Sequence, residues 1–458
     1  MTKDELLPFI EFNNEKEKEE AEFYISVKGV ALHCRVLDFL GFSFSLGEKV
    51  QWHMDIFAYW AESGLTEEIC KLVKGVSEYT TLTAMPRYLA DVLAGRVADE
   101  YANEGIAFPS RVIEWKTLKE VCTQSKTDFS ANFFLGTLLY GRGAYADGNE
   151  YMQKAYAIKK DYRICRNLAV VAYSREQDFA KAKAYMEEAL KLMPSDEKQM
   201  VFEYVYLLAK IGEKPESVIA IIKEKGIYRD DIVVELARAY NHLGQPEKAL
   251  KALHDRAFVA CEGGEHYIAD QYMYAHYLQG RKLYEEGKYE EAANEFCVAT
   301  EIPDSLGAGL WNPVKKVPFQ YFQAMSYDKL GDREKAEEIL KGYLHFRYDY
   351  FTNMYLYTYA YYDARALEYL GQTKDATELM QNFLASDEKE LTKTDMGHFG
   401  TTPFFISFID RPATARENYF AYRLFLTSKF LGDKERMEKY SKIVETDGYG
   451  MYIEDFTK

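Results

Sequence analysis

One pattern of hydrophobic and polar positions recurs along the chain. Each copy begins with Leu-Gly or Glu-Gly, continues with three to five mostly polar residues, and then has a small residue that opens an apolar stretch with helical spacing. The copies are LGQPEKALKAL from Leu243, EGKYEEAANEF from Glu286, LGDREKAEEIL from Leu330, LGQTKDATELM from Leu370 and LGDKERMEKY from Leu431. Glycine favours the left-handed conformation that ends a helix, and a small residue lets the next helix pack closely. The pattern therefore predicts antiparallel helical hairpins.

The spacing of these hairpins is typical of a tetratricopeptide (TPR) repeat. The glycines predicted to end the first helices are Gly212, Gly244, Gly287, Gly331, Gly371 and Gly432, which lie 32 to 61 residues apart. A bare TPR repeat needs about 34 residues, and eight repeats fit from Phe129 onward. We therefore predict an all-α fold, a TPR-like α-α superhelix or solenoid, in which long inter-repeat loops hold the surplus residues.

The three longest loops are predicted at 254–268, 302–318 and 385–418. Each joins the second helix of one repeat to the first helix of the next, which would place all three on the same edge of the solenoid.

Agreement with the repeat pattern divides the chain into three predicted regions. Residues 1–125 are helical pairs that depart from the consensus, residues 126–345 hold the central repeats, and residues 346–458 hold the C-terminal repeats and a cap. A solenoid adds core repeat by repeat, so 458 residues need no further division into globular domains.

Charge and composition narrow the classes of partner. The net charge of -16 disfavours a nucleic acid or an anionic membrane as the main partner. No stretch approaches 18 uninterrupted apolar residues, and six widely separated cysteines are typical of reduced thiols, so we predict a cytoplasmic protein. The histidines form no metal-binding pattern and no phosphate-binding glycine loop is present, so we predict neither a metal nor a cofactor.

Several phrases outside the repeats resemble a known family. They are FPSRVIEWKTLKEV from Phe108, EGGE at 262–265, PDSLGAGLWNP at 303–313 and FGTTPFFISFID at 399–410. They are similar to the TPR half of a bacterial family of carbohydrate-utilisation proteins of unknown function. The other half of that family is similar to mutarotase-like β-sandwiches, and no period-two alternation before residue 50 indicates such a half here. The resemblance implies a sugar-related context without supplying an active site.

Candidate binding residues follow from the register of the repeats. In TPR proteins, certain positions of the first helix line a concave groove, and here they hold tyrosine, arginine and carboxylate side chains, which suit a carbohydrate or a peptide. These candidates are Arg238, His242, Tyr274, Tyr277, Arg281, Tyr284, Tyr321, Asp328, Tyr361, Arg365 and Tyr369. In the alternative interpretation, the tyrosines pack between helices and the arginines pair with nearby glutamates.

The sharper form of this hypothesis is one shared pocket. Tyr277, Arg281, Tyr321, Tyr361 and Arg365 occupy equivalent positions in successive repeats, which stack side by side. We expect the side chains to face solvent, so that Tyr277→Ala or Tyr361→Ala would weaken binding without disturbing the fold. The loops at 262–266 and 307–312 would close the edge of the pocket.

The loop EGGEH gives a second function class. Glu262, Glu265 and His266 could place two carboxylates and an imidazole near the groove, and paired acids can hydrolyse a glycosidic bond. The two glycines between these acids are also common in ordinary turns, which would give the loop no catalytic role. The leading prediction is a non-catalytic scaffold that binds a protein, a peptide or a carbohydrate, and the alternatives are a glycan-processing enzyme and a structural oligomerisation module.

Overall fold

The structure is a computed structural model, and all regular elements in the part that it describes are helical. It describes residues 63–64, 109–195, 197–259, 265–307, 313–350, 360–391, 412–444 and 451–457. The predicted all-α fold is confirmed, and the predicted helical pairs between residues 50 and 108 lie outside the described residues. The boundaries predicted at residues 125 and 345 stay a prediction.

The chain forms two compact units, of which the first comprises residues 1–171 and 191–193. Its described helices are α1 (Val112–Gln124), α2 (Phe129–Gly141), α3 (Tyr145–Ile158) and α4 (Tyr162–Val171). Helix α2 begins where the Asp128 carboxylate accepts a hydrogen bond from the Ala131 amide at 2.8 Å, a standard N-cap. Helices α2 and α3 form a hairpin in which Leu135, Met152 and Ala155 are buried.

The second unit comprises residues 172–190 and 194–458 and contains the remaining described α-helices, apart from the last two residues of the helix that ends at Leu192. They are α5 (Phe179–Leu192), α6 (Lys198–Lys210), α7 (Pro215–Lys225), α8 (Asp230–His242), α9 (Pro246–His254), α10 (Glu265–Glu285), α11 (Tyr289–Val298), α12 (Val317–Lys329), α13 (Arg333–Tyr350), α14 (Ala360–Tyr369), α15 (Thr373–Leu391), α16 (Pro412–Leu431) and α17 (Lys434–Val444). From α6 to α17 these helices pack as six consecutive hairpins. This arrangement of stacked hairpins is that of a TPR-type α-solenoid.

The predicted turn glycines end the first helices of these hairpins. Gly244, Gly287, Gly331 and Gly371 have φ values of +65°, +77°, +85° and +81°, as the repeat pattern predicted. After α10, the Gly287 amide donates to the Tyr284 carbonyl at 3.0 Å and the Lys288 amide donates to the Leu283 carbonyl at 2.9 Å. The second of these bonds is the one that defines a Schellman cap. The left-handed glycine therefore satisfies carbonyls that the end of the helix would leave unpaired.

Small residues set the spacing within four of these hairpins. Ala292 in α11 is fully buried, and so are Ala249, Ala336 and Ala376 at the equivalent positions. Facing α11, Gly280 of α10 lies under the ring of Phe296, so close that an added Cβ would stand 2.6 Å from a ring carbon. The two helices can approach this closely only because position 280 has no side chain.

Two of the predicted long loops are shorter in the structure. Helix α15 continues to Leu391, because its charged last turns are good helix formers and the buried Asp387 pairs with Arg423 of α16 at 2.8 Å. Helix α10 begins at Glu265, within the predicted loop 254–268. In the third loop, short 3₁₀ turns occupy Asp304–Leu306 and Pro313–Lys316.

A pair of alanine substitutions tests the turn geometry. An added Cβ at Gly287 meets no atom within 4 Å, so Gly287→Ala isolates the cost of the left-handed backbone. We expect a loss of about 1 kcal/mol in unfolding free energy, since the left-handed conformation costs roughly 1–2 kcal/mol and alanine recovers part through the unfolded state. Gly342 also lies in open space but within helix α13, so Gly342→Ala should stabilise by roughly 0.5–1 kcal/mol. Urea denaturation measures both, and equal effects would contradict the assignment of the turn.

A second substitution tests the packing of the hairpin. Gly280→Ala should destabilise by roughly 1–3 kcal/mol, because the new methyl group would overlap the Phe296 ring. Phe296→Leu removes the overlapping atoms, so the double variant should lose less than the sum of the two single losses. Strict additivity in thermal unfolding would show that the two positions are not in contact.

Candidate functional site

The predicted tyrosines lie on the first helices of three successive hairpins. Tyr277 is in α10, Tyr321 is in α12 and Tyr361 is in α14. Two further tyrosines lie beside them, Tyr362 in α14 and Tyr422 in α16. The Tyr321 and Tyr362 rings are 5.5 Å apart, which joins successive repeats directly. We call these five side chains the tyrosine face.

The tyrosine face is covered by the last described residues of the chain. Residues 451–457, Met-Tyr-Ile-Glu-Asp-Phe-Thr, have no regular secondary structure and lie against α10, α12, α14 and α16. We call them the C-terminal segment. All of these elements belong to the second unit.

Tyrosine hydroxyls hold the backbone of the C-terminal segment. The hydroxyls of Tyr362 and Tyr422 both donate to the Ile453 carbonyl, each at 2.6 Å. The Tyr277 hydroxyl donates to the Glu454 carbonyl at 3.1 Å and accepts from the Glu454 amide at 3.2 Å. These hydrogen bonds fix two successive peptide groups and do not depend on the side chains of the segment.

The Asp455 side chain occupies a polar site on the same face. Its Oδ2 atom accepts from the Tyr361 hydroxyl at 3.1 Å and from the Arg365 Nε at 3.0 Å, and its Oδ1 atom accepts from the amide and hydroxyl of Thr457. The side chain is 0% exposed. Burial alone raises the pKa of Asp455, but the hydrogen bonds from Thr457 and the charge of Arg365 outweigh it and lower the pKa below its ordinary value. The carboxylate is therefore held in its charged form.

The Phe456 ring occupies an aromatic site next to Asp455. It stacks on Phe322 with centroids 4.8 Å apart, and the Tyr284 ring meets it edge-on at 5.4 Å. Phe296 completes the wall at 6.2 Å, and the Arg281 guanidinium lies 5.2 Å from the ring centroid, within the range of a cation–π contact. The site combines dispersion with a favourable charge on the ring face.

Burial favours the neutral form of four hydroxyls of the tyrosine face. It raises the pKa of Tyr321 to about 12, and it also raises the pKa values of Tyr277, Tyr361 and Tyr362 above the ordinary range. These hydroxyls therefore remain neutral near pH 7. They can donate hydrogen bonds to carbonyls and carboxylates but are poorly suited to general acid–base chemistry.

One part of the sequence prediction is wrong. The side chains of the predicted pocket were expected to face solvent, but Tyr277, Tyr321 and Tyr361 are 1%, 1% and 2% exposed. There are two reasons. The rings pack against side chains of neighbouring helices, as in the alternative interpretation, since Tyr277 contacts Phe322 and Tyr361 contacts Phe430. The C-terminal segment also covers their hydroxyl ends, which the repeat pattern alone does not reveal. Truncating Tyr277 or Tyr361 would therefore also disturb packing.

The predicted pocket residues nevertheless lie close together around the segment. Tyr277, Tyr361 and Arg365 donate hydrogen bonds to it, Arg281 lies over Phe456, and the Tyr321 hydroxyl is 3.4 Å from that of Thr457. The arginines also form the ion pairs of the alternative interpretation, since Arg281 pairs with Glu285 and Arg365 pairs with Glu368. Their assignment as binding residues stays a prediction.

The remaining candidates have other surroundings. Tyr274 stacks on Tyr277 with centroids 5.7 Å apart, and the Tyr284 ring lies against Phe456. The Tyr369 hydroxyl donates to Asp328 at 2.5 Å, which links α14 to α12. In α8, Arg238 pairs with the buried Glu235 at 3.4 Å and His242 is the last residue of the helix.

The predicted loop lid lies mostly outside the described residues. This holds for Glu262, for the side chains of Glu265 and His266, and for residues 308–312. Gly307 is described and has a left-handed backbone with φ of +60°. The predicted loop carboxylates and the loop closure therefore stay predictions.

Several functional residues were missed by the sequence prediction. Tyr362 is adjacent to the predicted Tyr361, and Phe322 is adjacent to the predicted Tyr321. The prediction therefore chose one residue of each helix where two adjacent residues line the site. Asp455 and Phe456 of the C-terminal segment were not considered. The signal for the segment was a run of three apolar residues followed by two acids and an aromatic residue after the last repeat, in a stretch with no helical period.

Two features are absent from the described part of the chain. None of its helices combines the length and the apolarity that a bilayer crossing requires. Within the same residues, no three histidine, cysteine, aspartate or glutamate side chains are grouped so that they could hold a metal ion.

Comparison with known proteins gives structural neighbours but no family. No protein-family model matches the chain. It is similar to the structure of Naa15/Naa10 bound to HypK-THB, with 14% identity, a TM-score of 0.33, and coverage of 72% of this chain and 48% of that one. It is also similar to YrrB, described as a TPR protein with an unusual peptide-binding site, with 18% identity, a TM-score of 0.23, and coverage of 51% and 93%. A third similar structure is the P58(IPK) TPR domain, with 13% identity, a TM-score of 0.22, and coverage of 86% and 98%.

The similarity to these structures is too low to carry a function from them to this chain. The chain spans 48% of the Naa15/Naa10 chain that it matches. All three TM-scores lie below 0.5, so the fold assignment rests on the helical hairpins of the chain itself.

The Asp455 carboxylate gives a prediction for docking of the segment. Asp455→Asn should cost roughly 1.5–3 kcal/mol of the docking free energy, the range for hydrogen bonds to charged groups. Hydrogen exchange of the amides of residues 451–457 measures this loss, because local opening exposes them. Glu454→Gln removes the same charge from an exposed side chain, and we expect a change within about 0.5 kcal/mol.

The same carboxylate gives a prediction for pH dependence. The pKa of Asp455 is lowered in the folded chain, so its contribution is fully present above the unfolded pKa of about 3.9 and is lost as the pH falls through the lower folded value. The difference in protection between the parent and Asp455→Asn should therefore be constant from pH 7 to about pH 5 and shrink below about pH 4. A difference that stays unchanged down to pH 2 would contradict the role given to the charge.

Proposed function

We propose that the chain is a peptide-binding scaffold whose site is the tyrosine face with its flanking arginines. The observation that carries the proposal is the C-terminal segment itself, a non-helical peptide held by side chains from four successive hairpins. An external partner would bind as an extended segment of a protein in the same position. The protein would then act without catalysis of its own.

The backbone contacts support a peptide as the ligand. Tyr362, Tyr422 and Tyr277 bond to the carbonyls of residues 453 and 454 and to one amide. Every extended peptide presents these groups at the same spacing. The side chains of the face therefore contact backbone carbonyl and amide groups, which every protein partner has.

The covalent connection explains why the segment occupies the site. Six residues separate the end of α17 at Val444 from Met451. A short connection gives an effective concentration of millimolar order, so even weak intrinsic affinity keeps the site filled. An external peptide must therefore compete with the segment.

A carbohydrate ligand, the other class predicted from the sequence, receives less support. Sugars stack on exposed aromatic faces, whereas Tyr277 and Tyr284 are buried and contact the Phe456 ring. The sugar-related context and the cytoplasmic location stay predictions from the sequence.

Peptide binding in trans tests the proposal. The probe is a fluorescent peptide of residues 450–458, capped at both ends so that no terminal charge is added, and the protein is the full chain. In the variant with both Asp455→Asn and Phe456→Ala, the C-terminal segment is weakened and the face is open to the probe. Fluorescence anisotropy should show saturable binding to this variant and at least about tenfold weaker binding to the parent, because the parent segment competes.

Controls separate failure of binding from failure of folding. A peptide of the same composition in scrambled order should not bind, and circular dichroism should show that the double variant keeps the helicity of the parent. If the double variant is unfolded, Asp455→Asn alone replaces it, and excess probe added to the parent should accelerate hydrogen exchange in residues 451–457. A folded variant with no saturable binding, and no acceleration in the parent, would refute the proposed function.

A further inference from the structure

We infer that the site selects partners in which an acidic residue is followed directly by an aromatic residue, with a branched aliphatic residue two positions before the acid. This inference rests on the proposed function and adds the chemistry of the partner. It follows from three side-chain sites that the C-terminal segment fills and from one side chain that it leaves exposed.

The acid site is specific for a charge. Asp455 is 0% exposed and its Oδ2 atom contacts both the Tyr361 hydroxyl and the Arg365 guanidinium. Because water is excluded, the attraction between the charges is screened far less than at the surface. An amide of the same shape keeps the hydrogen-bond acceptor but loses the charge, so asparagine is expected to be disfavoured.

The aromatic site is specific for a flat ring. Phe322 lies parallel to the Phe456 ring with an interplanar angle of 27°, whereas Tyr284 meets it at 81°. The Arg281 guanidinium, from the same helix α10 as Tyr284, lies 5.2 Å from the centroid of the Phe456 ring. An aliphatic side chain would fill part of the volume but would lose the stacking and the cation–π attraction.

The aliphatic site is the part of the core that the Ile453 side chain occupies. Ile453 is buried and belongs to the main hydrophobic core of the second unit. Its carbonyl is the atom that both hydroxyls contact, so the backbone and the side chain are fixed together. Glu454 lies between the aliphatic and acid sites with its side chain exposed, which leaves that position open to any residue.

The geometry of the acid and aromatic sites also sets their order. Asp455 and Phe456 are adjacent in sequence, yet one faces Arg365 of α14 and the other faces Phe322 of α12 and Phe296 of α11. Thr457 then turns back, so that its amide and hydroxyl both donate to the Asp455 carboxylate at 3.0 and 2.7 Å. An aromatic residue placed before the acid would not reach the Phe322 wall while the acid contacts Arg365.

A panel of probe peptides tests this specificity on the full-chain double variant described above. Relative to the parent probe, the Asp455→Asn peptide should bind roughly 10- to 100-fold more weakly, as for a lost charged hydrogen bond. The Phe456→Ala peptide should lose at least about 30-fold, as for a buried aromatic anchor. A peptide with Asp455 and Phe456 exchanged should lose both contacts. The Glu454→Gln peptide keeps the backbone and changes only the exposed side chain, so its affinity should stay within about twofold.

Two arginine variants assign each preference to its site. Arg365→Met keeps the apolar stem and removes the charge, so it should reduce the discrimination between the Asp and Asn peptides to a few-fold. Arg281→Met should leave that discrimination intact and reduce the discrimination between the Phe and Ala peptides. These reciprocal effects distinguish direct recognition from a general loss of folding, which would weaken all peptides alike.

The outcomes separate the inference from the proposed function. If no peptide binds a folded variant, the proposed function itself is wrong. If the parent, Asn, Ala and exchanged peptides all bind with equal affinity, the face is a peptide site without the specificity that we infer. Equal losses for Glu454→Gln and Asp455→Asn would show that only net charge matters and would also overturn the inference.

Discussion

A buried tyrosine is stabilised only if its hydroxyl finds a hydrogen-bond partner, and this constraint organises the second unit. Tyr277, Tyr361, Tyr362 and Tyr422 line the first helices of neighbouring hairpins and are all buried or nearly so. The helices themselves offer these hydroxyls few acceptors, because backbone carbonyls within a helix are already paired. The C-terminal segment supplies the acceptors, which are the Ile453 and Glu454 carbonyls, outside any helix, and the Asp455 carboxylate.

The row of tyrosines is itself a consequence of the repeat. Left-handed glycines such as Gly287 end each first helix at the same point, and buried alanines such as Ala292 set the distance to the second helix. Equivalent positions in α10, α12, α14 and α16 therefore lie side by side. Tyrosines repeated at one position of successive helices therefore form a continuous surface, along which the C-terminal segment lies. Tyrosine suits this role because it presents a large contact area with only two rotatable angles to order.

The sequence predicted the hairpins and the register well because both depend on local chemistry. Gly244, Gly331 and their equivalents have a left-handed backbone conformation that few other residues adopt. The approximate position of each pocket tyrosine followed from counting along the helix from these glycines. The exposure of Tyr277 could not be predicted this way, because residue 454 contacts it across 177 positions of sequence. No periodic pattern records such a contact. The single-residue reading also missed Tyr362, since a helix face that meets both a neighbouring helix and a peptide is wider than the groove positions of the consensus.

The C-terminal segment contributes to the stability of the fold and, under the proposed function, also occupies the binding site. Ile453 and Phe456 pack into the same hydrophobic core as the hairpins, so the segment is part of the fold as well as an occupant of the site. Displacing it exposes Phe322 and the tyrosine hydroxyls to water, and only a ligand that restores both the hydrogen bonds and the aromatic contact can offset that loss. A partner with only one of these features would compete poorly against a segment held at high effective concentration. Under the proposed function, the requirement to replace every contact together would be the physical origin of selectivity at this face.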